Sequence, residues 1–172
     1  VFALMVDVPS SHVKDNTAWQ ERREMAADWR RQIASIGEQR GFRVLPMISF
    51  SAVPDANADL PELAEMDGES MPLIQILEQA SVVISMSEVS VTGPLMAYAQ
   101  TRGEADEFRV ASMPLANRSM EDTCLMADSA TLVDRGNIIL AALEDSESAE
   151  VTFTTGDTCI FDLRFRTAGV DN

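Results

Sequence analysis

The chain has 172 residues, 46% of them hydrophobic, and a formal net charge of −15 with a pI near 4.3. That length supports one sizeable core, or one core and a small appendage. The acidic balance argues against nucleic acid and anionic membranes as partners, since both need a basic footprint, and no apolar run approaches the roughly 18 residues of a membrane span.

Residues 1–8 (VFALMVDV) are a short apolar run that suits a buried parallel strand, not a secretory leader. Asn16 or Thr17 can cap the helix that follows, with Trp19, Ala26, Trp29, Ile33 and Ile36 on one face and Gly41 at its end. Residues 42–50 (FRVLPMISF) read as a second strand, with Pro46 suggesting a bulge or an edge. Residues 51–69 read as a long polar loop rich in Asp and Glu, solvated and without EF-hand spacing. Ser70 is the expected N-cap of a helix running through Leu73, Ile76 and Leu77. SVVISM (81–86) is an unbroken apolar strand, a helix is expected over 94–102 up to Gly103, and FRVASMP (108–114) is a fourth strand.

The alternation over 1–114 predicts an α/β three-layer sandwich. Its sheet should be mostly parallel, four-stranded or slightly larger, and Rossmann- or flavodoxin-like. Residues 119–144 read as two helices, the first opened by a capping-box-like Ser119 and Asp122, the second with Leu132, Val133, Ile139 and Leu143 as its apolar stripe. Residues 150–165 read as a hairpin that begins a second sheet. The expected organisation is therefore an α/β domain over 1–117, a helical connection over 118–147, and a hairpin over 148–172 that starts a further domain. Both chain ends read as internal to a longer protein.

Chemistry-bearing motifs are sparse. His12 is the only histidine and falls in a polar loop, and the two cysteines, Cys124 and Cys159, are too few for a disulfide framework. Reduced thiols predict a cytoplasmic protein. HExxH, CxxC, the phosphate-binding GxxxxGK[ST] loop and GxGxxG are all absent. A ligand site, if this part has one, is expected beyond the carboxyl ends of the strands, where Asp7, Ser87 and Thr92 fall, the latter two just ahead of a helix N-terminus that could receive an anion. Capping and hydrogen bonding of the loops account for the same residues without a ligand.

Several landmarks follow one another in a recognisable order. DVP follows the first strand, then WQERREMAADWRRQI, MPLIQILEQASVVISM, TGPLMAYAQTRG, RVASMP and finally EVTFTTGDTCIFDLRFRTAGVDN. This run resembles the N-terminal part of M29-type metallo-aminopeptidases (aminopeptidase T) and of the related 2,5-dihydroxypyridine dioxygenase-like proteins. The residues carrying the tail of the resemblance are Val151, Thr154, Gly156, Asp157, Asp162, Phe165, Arg166 and Asp171. Two departures stand out: Ser81 replaces an Asp, and the family's GTDL is stretched over Gly156 to Leu163.

The resemblance implies a non-catalytic N-terminal part of a larger enzyme, inactive alone. It would shape the substrate cleft for a peptide or small molecule and contribute to packing in a homodimer. The divalent metal it implies (Zn, Co, Mn or Fe) would be ligated by residues beyond this chain. No catalytic, cofactor or metal residue is therefore expected here. The alternatives are a stand-alone flavodoxin-like binding or regulatory module and the N-terminal half of a ring-cleaving dioxygenase.

Overall fold

A computed structural model describes residues 1–103, 108–167 and 169. The chain divides into two compact units, Val1–Met120 and Glu121–Asn172.

The first unit is α/β. Its strands are β1 (Phe2–Val8), β2 (Ile48–Ser51), β3 (Leu63–Met66), β4 (Glu69–Pro72), β5 (Val82–Met86) and β6 (Arg109–Ser112). They form one six-stranded sheet in the order β4-β3-β2-β1-β5-β6. The pairs β1–β2, β1–β5 and β5–β6 are parallel, whereas β2–β3 and β3–β4 are antiparallel. The helices are α1 (Thr17–Arg40), the short α2 (Leu73–Leu77) and α3 (Thr92–Arg102).

Side-chain alternation along β1 feeds two separate cores. Ala3 and Met5 join Ile48, Leu73, Ile76, Val83 and Leu95 on the α2/α3 side. Leu4 and Val6 join Met25, Ala26 and Met86 on the α1 side. Asn16 caps α1, its side chain accepting from Trp19 N, and Gly41 closes the helix at φ 79°. The predicted apolar face is only partly buried. Trp19 and Ala26 are fully enclosed, Trp29 and Ile33 are half-buried, and Ile36 is exposed.

Three expectations need correction. The loop predicted over 51–69 contains β3, and Ser70 belongs to β4 and caps nothing; α2 is preceded by Pro72 and has no side-chain cap. The cause is the Asp67-Gly68 turn. Both residues have positive φ (57° and 81°), the geometry of a two-residue hairpin loop, and this turn folds the acidic stretch back on itself. Pro46 marks neither an edge nor a bulge: it precedes β2, which pairs on both sides, and residues 42–47 contribute only a bridge from Val44 to Phe2.

The third correction concerns 119–144. Residues Arg118–Met120 and Cys124–Met126 form 3-10 turns, and a single helix, α4 (Ser129–Glu144), follows. Ser119 begins no capping box, because its N–H and hydroxyl both turn to Asn117 Oδ1. Asp128 caps α4 instead, accepting from Thr131 N at 2.8 Å.

In the second unit, β7 (Ser148–Thr152) and β8 (Thr158–Asp162) form a separate antiparallel hairpin turned at Gly156 (φ 94°). Register places Ala149, Val151, Cys159 and Phe161 on one face and Ser148, Glu150, Thr152, Thr158, Ile160 and Asp162 on the other. The apolar residues therefore concentrate on one face, with Ile160 the exception. None of the described residues after Met120 is buried. Asp171, which carries part of the family resemblance, lies outside the described residues. Among the described residues no helix is long and apolar enough to cross a membrane.

Candidate functional site

In the parallel part of the sheet, the order of the connections reverses at β1. The connection from β1 leads to β2 on one side, and β5 lies on the other. Ligands of open α/β sheets bind beyond the carboxyl ends of the strands at such a point. Asp7 is there, fully buried. Its carboxylate accepts from Trp19 Nε1 (2.7 Å), from Glu88 N (2.9 Å to each oxygen) and from Val89 N (3.2 Å). The backbone N–H groups that an anion could claim after β5 are thus taken by the protein's own carboxylate.

The first turns of α1 complete the arrangement. Arg22, buried, donates through Nε to the Ala116 carbonyl (2.8 Å) and through a terminal nitrogen to Glu88 Oε2 (2.6 Å). Asn16 Nδ2 donates to the other Glu88 oxygen (2.9 Å). Arg23 lies over the Trp19 ring, 5.1 Å from its centroid. Burial pushes the Asp7 carboxyl above its ordinary value, while the N–H donors from Glu88, Val89 and Trp19 and the charge of Arg22 pull the other way.

Ser87 is buried beside this network. Its hydroxyl and that of Ser85 have no hydrogen-bond partner among the described residues. Thr92 is exposed at the N-terminus of α3 and belongs to a different group. Its hydroxyl donates to Ser112 Oγ (2.9 Å) and lies 3.0 Å from Ser90 Oγ. The α3 donors are also satisfied from within: Ser90 Oγ accepts from Thr92 N (3.4 Å) and Asn57 Oδ1 from Gly93 N (2.8 Å). The structure therefore joins Asp7 to the segment after Ser87 and places Thr92 in a neighbouring hydroxyl cluster.

A shallow cleft of about 180 Å³ lies at the carboxyl ends of β1 and β2, lined in part by Val8, Ser49, Ser51, Leu63, Glu65 and Ser70. Register sets Ser49 opposite Glu65 and Glu65 opposite Ser70, so the cleft floor is a hydroxyl–carboxylate–hydroxyl row. It is smaller than the roughly 300 Å³ at which drug-sized ligand sites begin.

Sequence reasoning missed Trp19, Arg22 and Glu88 as partners of Asp7. One signal was present. Arg22 falls three residues after Trp19 and four before Ala26, on the apolar stripe of α1, where a charge needs a buried partner. His12 lies in an exposed turn, and Cys124 and Cys159 are both exposed.

Among the described residues, no group of three or more His, Cys, Asp or Glu could hold a metal ion. Comparison with protein-family models, with curated proteins and with solved structures finds no match.

Proposed function

We propose that this chain is the non-catalytic α/β part of a larger metal-dependent enzyme, an aminopeptidase-like hydrolase, in which it shapes the substrate cleft and supports the packing of copies. The observation that carries the reading is the second unit. Val151, Phe153 and Phe161 of the hairpin region are 42%, 50% and 52% exposed, and Ile138 and Ile139 of α4 are 71% and 61% exposed. Apolar surface gathered in this way is usually covered by something. Further protein of the same enzyme is the cover that the resemblance suggests. The catalytic metal and its ligands would belong to that further protein, with a peptide or another small molecule as substrate. The core strand order β2-β1-β5-β6 supports a flavodoxin-like, doubly wound description of the first unit.

A stand-alone module that binds a small molecule is the second reading. The buried, unpartnered hydroxyls of Ser85 and Ser87 beside the crossover point favour it. Filling of that point by Asp7 weighs against an anionic ligand.

The two readings separate in one experiment. Residues 1–172 alone, given zinc, cobalt or manganese, should release no product from aminoacyl anilides. The product of the whole reading frame should do so, and should lose the activity to a chelator. Metal-dependent turnover by residues 1–172, or a reading frame that ends at Asn172, overturns the enzyme reading.

A further inference from the structure

The hairpin is a sheet of two strands, so each strand has one edge unpaired among the described residues. Which backbone groups face outward follows from its ends. Phe153 N donates to the Asp157 carbonyl (2.9 Å) and Leu163 N to that of Glu147 (3.0 Å). Backbone groups in an antiparallel ladder alternate between the partner strand and the open side. Thr158, Ile160 and Asp162 therefore present free N–H and C=O groups along β8, and Ser148, Glu150 and Thr152 do so along β7.

The two edges differ in what a second copy would meet. A two-fold axis at the middle of the β7 edge would set Glu150 against the partner's Glu150, a repulsive pair. The same axis on β8 passes through Ile160 and sets the two Ile160 side chains together, with Thr158 opposite the partner's Asp162. That register matches a hydroxyl to a carboxylate twice. The Asp162 carboxylate is already offset by Arg164, which donates from Nε (3.0 Å) and a terminal nitrogen (2.9 Å), so the edge carries no uncompensated charge. On the apolar face the axis puts Cys159 opposite the partner's Phe161, a favourable sulfur–aromatic contact. It also joins the apolar faces of the two hairpins into one.

We propose that the β8 edge is a contact between two copies of this chain, with β8 antiparallel to β8 about a two-fold axis at Ile160. Ile160 is 71% exposed in the single chain, and pairing explains an isoleucine on an otherwise polar face. The inference deepens the packing of copies proposed above and rests on the β8 edge, not on the metal or the catalytic activity, which the association experiment does not read.

Sedimentation of the whole chain across micromolar to millimolar concentration should show a monomer–dimer equilibrium. Ile160→Lys, which places like charges across the axis, should weaken it by about tenfold or more, while Glu150→Lys should not. Cross-linking gives an independent reading. With Cys124 and Cys159 replaced by Ser, Ile160→Cys should form an intermolecular disulfide on mild oxidation, because directly opposed residues of a hydrogen-bonded pair lie about 5.5 Å apart at Cα, within disulfide reach. Glu150→Cys in the same background should not. A chain that stays monomeric, a dimer indifferent to Ile160→Lys, or equal cross-linking at both positions overturns the proposal.

Discussion

The carboxylate of Asp7 occupies the place where an open α/β sheet admits a ligand, and it binds the loop after β5 to α1 and β1. Removing it leaves Trp19 Nε1 buried, and Glu88 N and Val89 N half-buried, without this acceptor. Each lost acceptor costs about 1–3 kcal/mol. Asp7→Ala should therefore lower the unfolding free energy by on the order of 3 kcal/mol or more, read from urea melts. If the variant melts with the parent, the network contributes nothing. The pH dependence has a definite sign. Burial raises the folded-state pKa above the ordinary 3.8, so the Asp7 contribution is fully present below that value and is lost as pH rises through the raised one. The stability gap between the parent and Asp7→Asn should narrow across that window. A gap that widens with pH would mean that the hydrogen bonds outweigh burial. Asp7 was legible in the sequence because a polar residue ended an apolar strand. Its partners were not, since Glu88 and Val89 reach it only through the parallel pairing of β1 with β5.

At the scale of elements, strong apolar periodicity and glycine stops were read correctly, and local turn chemistry was not. β1, β5, α1 and α3 lie close to their expected bounds because each is an apolar run or stripe with an explicit terminator. β3 and β4 were lost to the acidity of 51–69. Six carboxylates suggested a solvated loop, yet Asp67-Gly68 is the short-range hairpin signal that decides the matter. Two substitutions test the elements. Val83, fully buried in β5, should not accept a charge, and Val83→Asp should cost on the order of 3 kcal/mol or more. A thermal melt equal to the parent's would refute the strand's central position. Gly37 is the subtler case. Gly→Ala inside a helix ordinarily stabilises by up to about 1 kcal/mol. Here an added methyl would lie 2.6 Å from the Phe42 carbonyl oxygen, backbone that cannot swing aside. Gly37→Ala should therefore destabilise by about 1–3 kcal/mol, the range for overpacking. A stabilised variant would mean that the turn after α1 yields easily.

At the scale of the molecule, the two hydrophobic clusters draw every buried member from the first unit, the last being Ala116. The helix and hairpin of the second unit keep exposed side chains such as Ile138, Ile139 and Ile160. A two-stranded ribbon is marginal by itself in water, so its backbone groups should open readily. Amides of β1 and β5 should then exchange slowly, at rates set by global unfolding, while those of β7 and β8 exchange much faster at concentrations where the chain is monomeric. The same reasoning fixes the outcome of truncation. Deleting residues 148–172 removes no member of either cluster, so the unfolding transition of residues 1–147 should stay within about 0.5 kcal/mol of the parent's, the range of surface changes. Self-association through β8 should disappear with the deletion, and light scattering on both chains reads this directly. A truncated chain that unfolds, or a hairpin protected as strongly as β1 in the monomer, would show that the second unit is integral to the first core. The account of a separate unit awaiting a partner would then fail.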